Sequence, residues 1–324
     1  MRMMSTIWLV VALVSMICSG VEAQTFRAVT TAEFGAYSSA TQAKLNSKQP
    51  TGTYLTPTGS GAGLTGITPQ GIGGREVLTG NRTYYIATTG NDTNGTGASG
   101  APWATLQKAS DHITSRLDVA GYTVTINIAD GTYSGLATKG FSGGGGVVFQ
   151  GNTTNMDAVV INSGYYIGGF SGAYQIAYQK LHGITGDAIY CGTPTVSVAF
   201  GNINFGTATG HHITAYTKGA ITSNANYSIS GSAGGSHYRV GYGGLLFDTN
   251  RTIAVSPGLT FPSGFTSVDS GSILRSTGNT FSTNVATGIR FSITGNSIVD
   301  TFGAGSTYFP GDNTGTTATG GIYQ

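Results

Sequence analysis

Histidine, tyrosine and charged side chains form three groups in the middle of this chain, separated by roughly 20–25 residues. A histidine near an aspartate can act as a general acid–base pair, and the same groups can hydrogen-bond the hydroxyls of a ligand. If the three groups align in the fold, they would share one lateral surface. The candidate catalytic residues are therefore Asp187, His182, His211, His212, His237 and Arg239. The candidate substrate-binding residues are Lys180, Tyr190, Tyr216 and Tyr238.

Two of these candidates, His211 and His212, are adjacent in the chain. Successive side chains of an extended strand point to opposite faces, so one histidine should point inward and the other outward. We expect the inward histidine to be a core residue with its hydrogen bonds satisfied. Two adjacent histidines also lack the i, i+4 spacing of a helical zinc site.

Acidic residues are few, with 13 Asp and Glu in 324 residues. A calcium site needs several carboxylates close together, and here they are scattered along the chain. Stacked strands could still bring some of them into one row, and otherwise each is a turn or surface residue. The aspartates that could align are Asp157, Asp187, Asp248, Asp269 and Asp300. The sequence itself indicates no metal site and no cofactor.

The overall composition is rich in glycine and poor in charge, with 53 Gly, 9% charged residues and a formal net charge of +2. Average domains contain about 7% Gly and about 25% charged residues, so long charged helices and coiled coils are excluded. Without a cluster of Lys and Arg, the chain has no electrostatic footprint for nucleic acid. A sugar surface fits better, because polysaccharides are recognised by hydroxyls, amides and aromatic rings, and this chain has 17 Tyr.

The N-terminal part of the chain differs from the remainder. Residues 1–23 have the layout of a secretory signal peptide, with Arg2 followed by an apolar run that is short for a membrane span. Removal of this segment would leave Cys191 as the one cysteine, so no disulfide within the chain is expected. Residues 24–80 are predicted to be a leader and linker, with a short helix between positions 31 and 48.

The elements that must position the candidate residues are mostly short strands. Val124, Ile126 and Ile128 alternate with polar residues, which predicts a strand with one buried face. Similar short strands separated by glycine-rich turns recur to the end of the chain. Stacked in roughly eight coils, they would form a single-stranded right-handed parallel β-helix. One helix is predicted to begin at Pro102–Trp103 and to cover the N-terminal end of the stack with a buried face of Leu106, Ala109, Ile113 and Leu117.

Three segments resemble the N-terminal cap of right-handed parallel β-helix proteins of the pectate-lyase-like superfamily, especially those of phage and prophage tails. The segments are YYIATTGNDTNGTG (84–97), PWATLQKASDHI (102–113) and VTINIADGTYSG (124–135). The ending FPGDNTGTTATGG (309–321) resembles the C-terminal signature of the same tail-associated group. The resemblance implies a β-helix domain over residues 81–324, with its N-terminal cap at about 84–122. It implies no single activity, because the superfamily includes lyases, hydrolases, epimerases and non-enzymatic spikes.

Three functions remain open. The leading hypothesis is an extracellular, tailspike-like β-helix that binds a surface or cell-wall polysaccharide, commonly as a homotrimer. The second is a secreted polysaccharide lyase or glycoside hydrolase. A lyase that resembles the calcium-dependent pectate lyases would bind calcium. A polygalacturonase-like enzyme would need paired aspartates and a Gly-His-Gly element, to which Gly210-His211-His212 is the nearest approach. The third is a structural or adhesive protein. We expect secretion or virion association, and neither nucleic acid nor, after signal removal, a membrane as a partner.

Overall fold

The computed structural model describes residues 74–169, 171–282 and 286–324, together with the isolated helical positions Ala32, Ala36 and Ser39. The chain divides into two compact units, Met1–Thr65 and Gly66–Gln324, and the second carries the fold described below. The predicted signal peptide, and the predicted leader up to position 73, lie outside the described residues apart from those three helical positions. Of the part that is described, no helix is long and apolar enough to span a membrane.

The described residues of the second unit form mostly short strands, with one α-helix and one 3-10 turn at Met156–Ala158 among them. In chain order the elements are β1 Glu76–Val77, β2 Arg82–Ile86, α1 Leu106–Arg116, β3 Leu117–Asp118, β4 Thr123–Ile128, β5 Gly131–Tyr133, β6 Leu136–Thr138, β7 Gly146–Gln150, β8 Val159–Ile167, β9 Gly172–Cys191, β10 Val196–Phe205, β11 Ile213–Ala215, β12 Ala220–Ser223, β13 Tyr227–Ile229, β14 Tyr238–Val240, β15 Leu245–Thr249, β16 Thr252–Val255, β17 Thr266–Val268, β18 Ile273–Thr277, β19 Thr280–Phe281, β20 Phe291–Ile293, β21 Ile298–Asp300, β22 Thr316–Thr317 and β23 Ile322–Tyr323.

The strands form a parallel β-solenoid of about 8 turns, which confirms the predicted all-β parallel β-helix. Each named strand pairs in parallel with strands one coil before or after it. The number of residues in a coil is not constant. Val198 is aligned with Ile221 in the next coil, whereas Leu246 is aligned with Leu274, which is farther away in sequence. This irregular coil length explains why no fixed consensus marks the repeat in the sequence.

Three parallel sheets run along the solenoid and enclose one core. The first contains β2, β4, β7, β12, β15, β18, β21 and β23, the second contains β5, β13, β16 and β19, and the third contains β6, β11, β14, β17, β20 and β22. The long strands β8, β9 and β10 bend from one sheet into the next. Alternate residues point inward, so apolar side chains of all three sheets fill most of the interior.

The helix α1 lies near the N-terminal side of the solenoid, where the prediction placed it. Leu106, Ala109 and Ile113 are buried, as their spacing predicted. The predicted start at Pro102–Trp103 is wrong, because the backbone of Trp103 pairs with β2 in an extended conformation. The helix begins only after Thr105, whose hydroxyl caps it by accepting a hydrogen bond from the backbone N–H of Lys108.

Candidate functional site

Four tyrosine side chains form a row along the outer side of the third sheet. The ring centroids of Tyr166 and Tyr190 are 5.0 Å apart, those of Tyr190 and Tyr216 are 6.4 Å apart, and those of Tyr216 and Tyr242 are 4.7 Å apart. We call this row, with the charged residues beside it, the tyrosine face. One tyrosine comes from each of four successive coils, so the row runs along the solenoid axis.

The backbone register explains how the row is built. Tyr166 and Tyr190 are direct partners in neighbouring strands. Tyr190 also pairs with Thr214 in the next coil, and Tyr216 follows two residues later on the same outward side. Gly241 lies under the ring of Tyr216, where a Cβ atom would come within 2.5 Å of the ring. The absence of a side chain at Gly241 therefore lets the Tyr216 ring lie close to the backbone.

The two ends of the row differ from its middle. Tyr166 is 45% exposed and Tyr242 is 59% exposed, whereas Tyr190 and Tyr216 are only partly exposed. The neighbour that pairs with Tyr166 in the preceding coil is the small residue Ala137. At the other end, the following coil places Ser270 next to Tyr242–Gly243. The inner rings thus have a tyrosine ring on each side, stacked between Tyr166 and Tyr190 and tilted in the other two pairs, and the end rings have a small neighbour on one side.

Charged groups lie beside the inner tyrosines. The guanidinium carbon of Arg239 is 5.6 Å from the centroid of the Tyr216 ring, within the range of a cation–π contact. Arg239 also forms a 2.6 Å ion pair with Asp269. On the preceding coils, Oδ1 of Asp187 accepts the backbone N–H of His211 at 2.8 Å.

His211 has a defined proton arrangement. Its Nδ1 atom accepts the backbone N–H of Ser236 at 2.8 Å, so the neutral ring carries its proton on Nε2. Burial lowers the pKa of His211, and Asp187 offsets part of this effect whereas Arg239 adds to it. His211 is therefore neutral at pH 7, with Nε2 as a hydrogen-bond donor rather than a proton-accepting base.

The structure brings five of the ten predicted site residues together on the tyrosine face, and they are Asp187, Tyr190, His211, Tyr216 and Arg239. The other five candidates lie elsewhere, so the three groups do not share one lateral surface in full. His212, His237 and Tyr238 are 0% exposed and point into the core. The prediction that one of the adjacent histidines is a satisfied core residue is confirmed, since His212 hydrogen-bonds His237 and the carbonyl oxygen of Gly206.

Lys180 and His182 lie on the side of the second sheet. Lys180 pairs with Val160 and Asn204 there, and Nδ1 of His182 accepts the backbone N–H of Thr207 at 3.3 Å. The chain turns between His182 and Tyr190 as β9 passes from the second sheet to the third. Residues only a few positions apart therefore face different directions.

Sequence reasoning missed Tyr166 and Tyr242 as members of the row, and it did not assign Asp269 to this face. The missed signal is the spacing of the row itself, because Tyr166, Tyr190, Tyr216 and Tyr242 follow each other at about one coil length.

The aspartates that could have aligned do not form one row. Asp157 accepts a hydrogen bond from Asn204, Asp248 is in the core, and Asp300 pairs with Arg275 on the first sheet. Asp187 and Asp269 share the tyrosine face, but three coil steps separate them, about 14 Å along the axis at ~4.8 Å per step. The carboxyl pair of a glycosidase is typically about 5–9.5 Å apart. In the described ranges, no three potential metal-ligating side chains of His, Cys, Asp or Glu lie close enough to bind one ion.

The chain matches no protein-family model, no curated protein and no solved structure.

Proposed function

We propose that this protein binds a polysaccharide along the tyrosine face. The observation that supports the proposal is the row of four tyrosines, which runs for four coils and ends in two exposed rings. The apolar C–H face of a sugar ring packs on an aromatic ring, and its hydroxyls pair with charged and polar groups at the ring edges. Asp187, His211 and Arg239 supply such acceptors and donors beside the row.

The geometry favours a linear chain lying parallel to the solenoid axis. Each inner ring has a tyrosine ring on both sides and is only partly exposed. A sugar could pack flat on an end ring, at Tyr166 or Tyr242. The two ends are three coil steps apart, about 14 Å at ~4.8 Å per step. A pyranose in an extended polymer is about as long as one coil step, so an oligosaccharide of several sugars is needed to contact both ends.

The side chains of the tyrosine face support binding of a polysaccharide without its cleavage. The two carboxylates of the face are too far apart for a glycosidase pair, and His211 offers a donor at Nε2. A secreted polysaccharide-cleaving enzyme and a purely structural protein remain the competing functions, and they make different predictions. An extracellular, tailspike-like role in a homotrimer belongs to the proposal. The predicted signal peptide supports only the extracellular location, and the resemblance of the cap and of the C-terminal ending supports the tailspike-like role.

The test is a binding measurement with the folded protein on a panel of cell-wall and capsular polysaccharides, followed by titration with oligosaccharides of increasing length. We expect binding that strengthens with length until both end rings are contacted, with no release of reducing ends or unsaturated products. Tyr166→Ala and Tyr242→Ala should each weaken binding, whereas Tyr122→Ala, which removes an exposed tyrosine outside the row, should not.

Two results would overturn the proposal. One is equal binding by wild type and both end-ring variants, and the other is no binding to any polymer of the panel. Product release that depends on the same face would instead support the enzyme.

A further inference from the structure

Five titratable side chains form a continuous hydrogen-bonded chain inside the solenoid. His212 Nδ1 is 3.0 Å from His237 Nδ1, His237 Nε2 is 3.2 Å from the hydroxyl of Tyr227, and that hydroxyl is 2.5 Å from the hydroxyl of Tyr238. Both hydroxyls also contact Oδ2 of Asp248. Tyr227 is 4% exposed, and the other four residues are fully buried. We call this set the core chain.

One end of the core chain fixes the direction of its protons. The carbonyl oxygen of Gly206 can only accept, so His212 must donate to it from Nε2 at 2.9 Å. The Nδ1 atom of neutral His212 is then an acceptor, and His237 must donate from its own Nδ1. The Nε2 atom of neutral His237 is therefore an acceptor, and its partner Tyr227 must supply the proton.

Tyr227 cannot easily donate to His237 if Asp248 is ionised and both histidines are neutral. Each tyrosine hydroxyl has one proton, and an ionised carboxylate would accept both, since the Tyr227 oxygen is 2.6 Å from Oδ2. His237 Nε2 would then have no donor, and the two tyrosine oxygens 2.5 Å apart would have no proton between them. An unsatisfied buried acceptor costs about 1–3 kcal/mol, and the core chain has four protons for its six contacts in this state, so it is two protons short.

We propose that the native protein holds one additional proton in the core chain, on the carboxyl group of Asp248. Asp248 then donates to Tyr238, Tyr238 to Tyr227, Tyr227 to His237, and His237 to His212. Each contact along this path has one proton, and the 2.6 Å contact between the Tyr227 oxygen and Oδ2 of Asp248 is the single contact of the core chain left without one. Placing the same proton on His237, with Asp248 ionised, would give the core chain the same proton count but would create two buried charges.

The surroundings of Asp248 favour the neutral carboxyl group. Burial is the largest influence and raises the pKa of Asp248, and burial lowers the pKa of His237 well below its usual range. Two groups outside the core chain act to lower the pKa of Asp248. The hydroxyl of Ser223 donates to Oδ1 at 2.6 Å, and Arg251, which lies behind Ser223, donates to that hydroxyl at 3.0 Å. Tyr308 is a further titratable neighbour, and burial raises the pKa of its hydroxyl with a contribution from Asp248.

The additional proton makes folding pH-dependent with a definite sign. An unfolded aspartate has a pKa of about 3.9 and is ionised at neutral pH, so folding would take up one proton there. The folding equilibrium constant should therefore fall up to tenfold per pH unit as the pH rises from about 4 to the native pKa of Asp248. An Asp248 that is ionised in the native state, with a lowered pKa, would give the opposite slope.

The test compares the full chain with its Asp248→Asn variant, because the amide offers both a donor and an acceptor, as the neutral acid does, and does not titrate. Denaturant unfolding of both proteins is measured from pH 5 to pH 8. We expect the folding constant of the wild type to fall relative to the variant as the pH rises. A ratio that is constant or rises with pH would overturn the proposal.

Infrared spectroscopy of the wild type keeps the proposal testable if Asp248→Asn does not fold. We expect the C=O band of a protonated carboxylic acid to persist at neutral pH, where solvent-exposed carboxyl groups are ionised. The band should shift in Tyr238→Phe, because the acid then loses the hydroxyl to which it donates. A wild-type spectrum with carboxylate bands only, or a band that Tyr238→Phe leaves in place, would overturn the proposal.

Discussion

The tyrosine face and the core chain use the same residue types in overlapping coils, yet they differ in nearly every physical property. His211 and His212 are neighbours in sequence, as are Tyr238 and Arg239, and in each pair one member is outside and the other inside. Outside, tyrosine rings contact one another at the edge of solvent, and Arg239 pairs with Asp269. Inside, burial shifts each titratable group toward its neutral form. A single step along a strand thus separates a candidate binding residue from a structural one.

The largest expected difference between the two regions is in stability. Tyr238→Ala removes a fully buried ring and one of the hydroxyls that contact Asp248, so it should lower the free energy of unfolding by about 3–5 kcal/mol. Tyr242→Ala, on the exposed end ring, should change it by only about 0.5 kcal/mol or less. Denaturant unfolding of both variants measures this contrast, and equal losses would contradict it.

Acid should destabilise the protein through the buried histidines. Burial lowers the pKa of His212 to about 4, below the value of about 6.5 for an unfolded histidine. Between these values the unfolded state binds more protons, so the contribution of neutral His212 to stability is lost as the pH falls from 6.5 to 4, by about 3 kcal/mol in total.

This loss is measured as the pH dependence of the unfolding free energy of wild type relative to His212→Gln. The variant keeps a donor for the Gly206 carbonyl and removes the titrating ring. A difference that does not change between pH 4 and pH 6.5 would contradict a neutral buried His212.

Ligand binding should show the opposite contrast. Once a polysaccharide ligand is found, Tyr242→Ala should raise its Kd about tenfold, the equivalent of about 1.4 kcal/mol and within the range of one aromatic contact. Tyr216→Phe should have a smaller effect, because it keeps the stacked ring and loses one hydroxyl. Calorimetric titration of the folded variants tests both expectations, and a larger loss for Tyr216→Phe would place the main contact in the middle of the row.

The smallest expected effect concerns the ion pair of the tyrosine face. Arg239→Gln breaks the contact with Asp269, in which the two side chains are 17% and 28% exposed, and should cost about 0.5–1 kcal/mol of stability. A double-mutant cycle with Asp269→Asn isolates the pair. The Arg275–Asp300 pair, with Arg275 at 54% exposure, is the control and should show a smaller coupling energy.

Much of the fold was predictable because strand alternation is a local property. Val124, Ile126 and Ile128 are buried as their alternation predicted, and so are Leu106, Ala109 and Ile113 of the helix. The helix start was not predictable from Pro102, because the competing pairing of Trp103 with β2 is a tertiary contact. The site was predictable only in part, since five of the ten candidate residues share the tyrosine face.

The sequence by itself determined the strand periodicity, the frequent glycine turns, the parallel solenoid and the inward position of one histidine of the adjacent pair. These follow from steric and hydrophobic preferences that act over a short stretch of chain. Only the tertiary structure decided which residues meet between coils. Coil length varies from one pair of aligned strands to the next, and β9 bends between sheets, so the same spacing in sequence can lead to different faces. That is why Tyr166 and Tyr242 join the row outside, whereas His237 and Tyr238 meet Asp248 in the core.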